Sequence, residues 1–311
     1  PVGKSIVGVD VGGTFTDLFL LSADGRSIRT AKVPTTKDDQ SRGINEGLIS
    51  AGGKPSDLSS IVHGTTVGTN ALLERAGARA GIITTRGFRD VIEMRRRDRP
   101  QTWGLWGGYE PVVPRDARLE VDERVLADGS IIEPVNVAQV REAALELLAL
   151  GVESLCIFFI NSYANAANET AAYEAAREVW PNEHISVSSD ILPEVREFER
   201  ASTATLNAYL QPVVGRYLER LSSGLENQGF DGSLLIVQSN GGIMTADTAR
   251  TLPVRTALSG PAAGVIAAAR LAQATGISDI ITCDMGGTSF DVALVADGKS
   301  ALTAQSSVDF G

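Results

Sequence analysis

Short apolar runs broken by turn residues open the chain. Ile6-Val-Gly-Val9 ends at Asp10 and a glycine pair, Leu18–Leu21 follows, and an Asp24-Gly25 turn leads into Ile28–Val33. Three such runs predict strands of an antiparallel meander. The spacing then becomes helical. Asn136 is placed to cap a helix over Val137–Leu150, with Val140, Ala144, Leu147 and Leu148 on one face and Gly151 as its stop. The run Leu155–Ile160 predicts a buried strand, and a helix over Ala166–Trp180 halts at Pro181. Strands first, then helix and strand in alternation, predict an α/β domain with a mixed sheet. A long helical stretch over Pro193–Gln228 opens the second half, with Pro212 as a kink or break. A strand at Leu234–Val237 runs into the loop Gln238-Ser-Asn-Gly-Gly242. The helix Ser259–Ala274 follows, with Pro261 well placed near its start.

Length and composition narrow the classes. At about 150 residues per domain, 311 residues predict two domains, divided near residue 195. With 43% hydrophobic and 21% charged residues, wholesale disorder is excluded. A net charge of -10 argues against a nucleic-acid partner, because phosphate neutralisation needs a basic surface. The longest pure apolar run, Leu155–Ile160, is far short of the roughly 18 residues of a membrane span. No secretory signal is evident, so the cytoplasm is the expected compartment. Cys156 and Cys283 lie in apolar runs and read as small core residues. With only His63 and His184 beside them, no structural zinc site is expected.

An internal repeat carries the chemistry. Ile6-Val-Gly-Val-Asp10-Val-Gly12-Gly13-Thr14-Phe-Thr-Asp17-Leu-Phe-Leu-Leu21 aligns without gaps with Ile280-Ile-Thr-Cys-Asp284-Met-Gly286-Gly287-Thr288-Ser-Phe-Asp291-Val-Ala-Leu-Val295, and each reaches an Asp-Gly turn. A glycine pair bares consecutive backbone N–H groups and makes an anion-binding concavity. A threonine hydroxyl adds a donor. An aspartate at the strand end would repel phosphate directly, so Asp10 and Asp284 read as hard oxygen ligands for Mg²⁺. Two such hairpins facing each other would grip a triphosphate and its metal; each alone is equally well a tight hairpin. The pattern is neither the Walker loop nor a dinucleotide fingerprint, since the glycines lead into a strand.

These residues resemble the actin, sugar-kinase and heat-shock-chaperone ATPase superfamily. Asp10-Val-Gly-Gly-Thr-Phe-Thr-Asp17, His63-Gly-Thr-Thr-Val-Gly-Thr-Asn-Ala-Leu-Leu-Glu-Arg75, Thr85-Arg-Gly-Phe-Arg-Asp-Val-Ile-Glu93, Glu199-Arg-Ala-Ser-Thr203 with Asn207-Ala-Tyr209, Gln238-Ser-Asn-Gly-Gly242 and Ser259-Gly-Pro-Ala262 are similar to the hydantoinase A / 5-oxoprolinase family. The resemblance implies duplicated RNase H-like domains, the first over residues 1–195 and the second beginning at 196 and continuing past Asp309-Phe-Gly311. It implies an ATP-dependent hydrolase subunit that opens a cyclic amide of the hydantoin, N-methylhydantoin or 5-oxoproline type by phosphorylating the amide oxygen, with Mg²⁺. A hydantoinase B-like partner subunit is implied too. An acetone- or acetophenone-type ketone carboxylase subunit and a small-molecule kinase are the alternatives, and a non-catalytic ATP-gated switch stands beside them.

The implied site follows the motifs. Asp10 and Asp284 hold the metal. Gly12, Gly13, Thr14, Gly286, Gly287 and Thr288 form the phosphate cradle. Asp17 and Asp291 either join it or cap the turns through backbone N–H groups. His63 reads either as a proton shuttle or as a histidine tied into a loop network, and His184 as surface. Arg86, Arg89, Arg95, Arg96, Arg97 and Arg99, followed by Trp103 and Trp106, make the one basic cluster. It reads as an anion-attracting surface, a subunit contact, or a solvated loop partnered by Asp90, Glu93 and Asp98.

Overall fold

The computed structural model describes residues 3–36, 40–96, 110–285 and 290–300. The expected meander forms: β1 (Ser5–Val11), β2 (Phe15–Leu21) and β3 (Ile28–Pro34) pair antiparallel. Helix α1 (Gln40–Ser50), strand β4 (Leu58–Thr65) and helix α2 (Val67–Leu73) come next. Strand β5 (Ala80–Thr85), the short helix α3 (Val91–Met94), and strands β6 (Arg118–Val121), β7 (Arg124–Val125) and β8 (Ile131–Glu133) follow. Helix α4 (Val137–Ala149) carries the expected cap, the Asn136 side chain accepting from the Gln139 N–H at 3.3 Å. Then come β9 (Ser154–Phe158), α5 (Ala167–Arg177), β10 (Ile185–Val187) and the short α6 (Ser188–Ile191). Helix α7 (Glu197–Glu226) leads to β11 (Ser233–Val237), β12 (Ile243–Thr245) and α8 (Ala246–Thr251). Helix α9 (Ser259–Thr275) and the strands β13 (Ile280–Met285), β14 (Phe290–Ala296) and β15 (Lys299–Ser300) complete the described chain.

Two compact units result, one built from residues up to Asn70 and from Val214 onward, the other from Ala71–Val213. In the first, a six-stranded sheet has the order β12-β11-β4-β1-β2-β3. β1, β4 and β11 run parallel while the outer strands are antiparallel, which is the mixed RNase H-like order. Alternation puts Val7, Val9, Val11, Leu18 and Leu20 inward, against Ile44 and Leu48 of α1, Leu221 and Leu225 of α7, and Phe230. Helix and sheet come very close here, since a Cβ on Gly47 would sit 2.1 Å from Leu18 Cδ1. A second meander, β13-β14-β15, repeats the β1-β2-β3 opening and packs on α9. The fold is therefore α/β, with mixed sheets flanked by helices and the RNase H-like opening present twice.

The second unit has its own parallel sheet, β10-β9-β5-β6. Every residue of β5 and β9 is buried, as expected of a parallel sheet covered on both faces. Its carboxyl edge is closed by buried acids. Glu169 accepts from the Phe159 N–H at 2.8 Å, the Ser188 hydroxyl at 2.5 Å and the Ser189 N–H at 2.9 Å. Glu123 accepts from the Thr85 hydroxyl and, at 2.8 Å, from Asn168; burial raises its carboxyl above the usual range.

In the first unit the free edge of β4 pairs with β11, while residues 71–213 build a separate sheet. Two expectations change. Pro212 neither breaks nor ends α7. Leu210, Val214, Leu218 and Leu221 around it are fully buried, and that packing outweighs the lost hydrogen bond. Cys156 is buried as expected, but Cys283 is exposed.

Candidate functional site

The repeat is exact at the level of strand pairing. Asp10 lies directly opposite Asp17 in the β1–β2 hairpin, and Asp284 directly opposite Asp291 in β13–β14. Like charges in that position weaken a hairpin, so two such pairs ask for a cation. In the first hairpin one carboxylate is already matched: Lys32, the cross-strand neighbour of Asp17 on β3, donates to both of its oxygens at 3.0 Å. Asp10 keeps solvent access at the end of β1, yet its carboxyl is raised above the usual range. Lost hydration is the largest cause, the Asp17 and Asp284 charges add to it, and Lys32 opposes them. Asp284 is therefore close enough for its charge to be felt at Asp10. Gly286, Gly287 and Thr288 lie outside the described residues.

The turn between β1 and β2 is tight. The Gly12 N–H donates to the Phe15 carbonyl at 3.0 Å, and a Cβ on Gly12 would come 3.1 Å from that same oxygen. Gly12 is thus required by close approach, and left-handed backbone plays no part, since neither Gly12 nor Gly13 has a φ in that region. A Cβ on Gly13 would meet nothing within 4 Å; the fold itself asks for no glycine there. Gly13 and Thr14 are exposed, so bare backbone and a hydroxyl-bearing side chain sit at the tip. Thr35 pins the turn from behind, its hydroxyl donating to the Gly12 carbonyl and its N–H to the Thr14 carbonyl, both at 2.9 Å. The β2–β3 register sets Thr35 there, since Phe15 pairs with Pro34. That role was not legible in the sequence because β3 showed only its apolar run.

Other motif residues gather at the carboxyl ends of β1, β4 and β11, the edge where open α/β sheets bind ligands. Gly64 pairs with Asp10, and a Cβ on it would come 3.3 Å from Asp10 Oδ1; glycine here leaves the carboxylate its room. The Thr66 hydroxyl donates to the Val11 carbonyl at 3.1 Å. The start of α9 is tied to the same edge: the Ser259 hydroxyl donates to the Thr65 carbonyl at 3.2 Å, and the Leu258 N–H to the Thr69 hydroxyl at 2.9 Å. Leu258 has a φ of 61°, left-handed backbone that a leucine adopts only when held. The Gln238–Gly242 loop is the β11–β12 turn and wedges onto α9, with Gly241 at a φ of 79° and no room for a Cβ beside Ile266.

Not every singled-out residue reaches this edge. His63 is fully buried on β4, its Nε2 2.6 Å from the Tyr217 hydroxyl. Burial pushes its pKa down to about 4, so the ring is neutral. His184 is half-buried in a loop. Arg200 is buried in the second unit, donating to the Phe159 carbonyl at 3.0 Å and stacking on Phe158 and Tyr163, while Asn207 donates to Ser186 at 3.0 Å. The Glu199–Asn207 motif therefore anchors α7 to the β9–β10 side of its own sheet. In the basic cluster, Arg86 pairs with Asp122 and Arg96 bonds Glu199 at 2.6 Å. Asp90 and Glu93 take Arg115 and Arg118 as partners. Arg97, Asp98, Arg99, Trp103 and Trp106 lie outside the described residues.

Among the described residues no three His, Cys, Asp or Glu side chains gather as metal ligands. A magnesium ion bound together with phosphates asks for only one or two protein carboxylates, since phosphate oxygens and waters fill the rest of its shell. The like-charge strain at Asp10 fits such an ion. None of the described helices is long and apolar enough to cross a membrane.

Known proteins share these features. The hydantoinase/oxoprolinase N-terminal region matches residues 6–180, and the hydantoinase/oxoprolinase region matches residues 200–310. The caprolactamase alpha subunit of Pseudomonas jessenii is 33% identical over 96% of this chain and 44% of its own length. The crystal structure of the ATP-dependent caprolactamase from that organism matches with a TM-score of 0.82 and 34% identity, covering 93% of this chain and 43% of that one. The nucleotide-free structure of acetone carboxylase matches with a TM-score of 0.83 and 28% identity, covering 94% and 44%. The 5-oxoprolinase of Saccharomyces cerevisiae is 31% identical over 96% of this chain and 26% of its own length. The chain thus spans less than half the length of each of these proteins. With residues 6–180 and 200–310 matched, the chain belongs to the hydantoinase/oxoprolinase family.

Proposed function

We propose that this chain is the nucleotide-binding part of an ATP-dependent enzyme that opens a cyclic amide. The observation that carries the reading is the convergence of two hairpins with identical Asp-to-Asp register, close enough for Asp284 to raise the pKa of Asp10. The names of the caprolactamase and 5-oxoprolinase relatives support the amide as substrate. An amide oxygen is a poor leaving group until phosphorylated, and catalysis of that transfer is mainly positioning and charge neutralisation. When bound, Mg²⁺ would neutralise charge on the transferred phosphoryl group. Asp10 and Asp284 would hold it. Gly12, Gly13, Thr14, Gly286, Gly287 and Thr288 would cradle the phosphates through backbone N–H groups and hydroxyls. Asp17, matched by Lys32, sets the charge balance of the hairpin, and Asp291 holds the equivalent place in the second. His63, buried and neutral, takes no part in proton transfer on this reading.

A partner subunit belongs to the same proposal, since relatives are named as alpha and beta subunits, and a cytoplasmic setting is proposed with it. The acetone carboxylase likeness favours ketone carboxylation as the second reading. The intact protein with its partner subunit is to be assayed with hydantoin, N-methylhydantoin, 5-oxoproline and caprolactam. Amide-dependent phosphate release is expected. Release that requires bicarbonate and a ketone would establish the second reading. A stable phosphorylated product would instead make it a kinase. Calorimetry with Mg-ATP tests the site itself: Asp10→Ala and Asp284→Ala should each abolish binding, and affinity equal to the unaltered protein would remove both residues from the site.

A further inference from the structure

A row of three charged side chains crosses the first meander. Asp10 on β1 lies directly opposite Asp17 on β2, and Asp17 directly opposite Lys32 on β3. Alternation along β2 sends Leu18 and Leu20 into the core and Asp17 to the other face, beside Phe15 and Phe19. All three members of the row keep solvent access. An ammonium group has three N–H donors. Lys32 gives two of them to the Asp17 oxygens, each at 3.0 Å, and stands 5.0 Å from the centroid of the Phe15 ring. Phe15 is the residue whose carbonyl closes the Gly12 turn. The cation is thus fixed beside the turn, and among the described residues its third N–H has no acceptor.

Stability does not account for this arrangement. The Asp17 and Lys32 side chains are 51% and 57% exposed, and ion pairs so exposed contribute little. Asp17 facing Asp10 weakens the hairpin, and neutral residues at positions 17 and 32 would avoid that repulsion. What the row supplies is a cation on the rung of a metal ligand. Two strand spacings, about 10 Å, separate the Lys32 and Asp10 backbones, and the flexible four-carbon stem of lysine spans much of that distance. The Lys32 charge already reaches Asp10, where it opposes Asp17 and Asp284. On the proposed nucleotide-binding function, which this role presupposes, Asp10 and Asp284 already offset the charge of Mg²⁺, and that of the triphosphate remains. We propose that Lys32 is the cation that meets it: the ammonium, held by Asp17, donates its third N–H to an oxygen of the transferred phosphoryl group when Mg-ATP binds. Lysine suits the contact as a compact point charge with several donors. Asp17 is then a positioning residue, which holds the stem along the row while the phosphoryl oxygen takes the free donor. The lysine keeps its proton throughout, and its contribution is charge and orientation.

Calorimetry on the intact protein compares Lys32→Met and Lys32→Arg with a double variant that joins Lys32→Met to Asp17→Asn. A hydrogen bond to a charged group corresponds to about 10- to 100-fold in affinity. Lys32→Met should lose that factor for Mg-ATP and less for Mg-ADP, and Lys32→Arg should recover part of it. The double variant should stay weak, because removing Asp17 does not replace the lost donor. Recovery of the unaltered affinity in the double variant would show that Lys32 only offsets Asp17, and would overturn the proposal. Full affinity in Lys32→Met overturns it directly. Lysine acetylation followed by peptide mass spectrometry gives a second readout, with no substitution involved. Adding Mg²⁺ and a non-hydrolysable ATP analogue should slow labelling of Lys32 at least about 10-fold. Exposed Lys54, which precedes the opposite end of β4, should keep its rate. A Lys32 rate indifferent to nucleotide would contradict the contact. Unaltered protein that binds no Mg-ATP would overturn the proposed function and the Lys32 contact together, whereas full affinity in Lys32→Met removes the contact alone.

Discussion

Asp10 is held where the free protein would do better without its charge. Its carboxyl is raised by lost hydration and by Asp17 and Asp284, so the folded state binds its proton more readily than the unfolded chain. For an acid shifted upward, the penalty is present at neutral pH and fades as pH falls through the folded pKa. Asp10→Asn should therefore keep or raise stability at pH 7, by about 0.5 kcal/mol after solvent screening, while abolishing Mg-ATP binding. Thermal melts beside calorimetry check this, and a variant that loses stability and still binds nucleotide contradicts it. His63 works in the other direction. Buried and pushed down to about 4 against an ordinary value near 6.5, it favours folding fully above pH 6.5 and progressively less as pH falls toward 4. The loss reaches about 3 kcal/mol at the acid end. His63→Gln should flatten this part of the pH profile of denaturant midpoints; an unchanged slope would show that another group titrates there.

Close contact between α1 and β2 fixes how the elements of the first sheet assemble. Gly47 lies so near Leu18 that an added Cβ would sit 2.1 Å from its Cδ1. Leu18 is 2% exposed and cannot swing into solvent, so Gly47→Ala displaces either the helix or the Leu18 side chain within a packed core. We expect a loss of about 1–3 kcal/mol, read as a lower urea midpoint with unchanged m-value; a neutral result would mean that Leu18 repacks. Elements of this kind also show which features the sequence could reveal. The β1–β3 meander, α4 with its Asn136 cap, β9 and α9 follow from local patterning, because alternation, capping and helical spacing are properties of neighbours along the chain. The Asp-x-Gly-Gly-Thr repeat was legible for the same reason. Thr35 behind the turn and Gly64 beside Asp10 were not, since both act across strands that only the folded register brings together. Local patterning also misplaced Cys283, whose apolar run looks like a core strand although the residue is exposed.

At the scale of the molecule, the order of segments along the chain and the order in the sheet part company. Strand β4 is followed by the whole of residues 71–213 before β11 arrives to pair with it. The core of the first unit likewise waits for Leu221, Leu225 and Phe230. A fragment of residues 1–195 would leave the edge of β4 unpaired and three large apolar side chains missing from the core. At about 1.5–3 kcal/mol each, their loss is comparable with the 5–15 kcal/mol that ordinarily holds a domain together, and an open edge invites aggregation. Among the described residues of 71–213 nothing of this kind is missing. Their parallel sheet is complete, the helices α4 and α5 and the first part of α7 are included, and the buried acids Glu123 and Glu169 find their partners inside the segment. Expressed alone, residues 71–213 should melt in one cooperative transition, whereas residues 1–195 should aggregate or show only the transition of the 71–195 portion. Near-UV circular dichroism of the two fragments decides the matter. A native-like signal with an additional cooperative transition from residues 1–65 of the longer fragment would mean that the nucleotide-binding sheet closes without β11. Asp10 would then be presented by a lobe that folds before the rest of its own core is made.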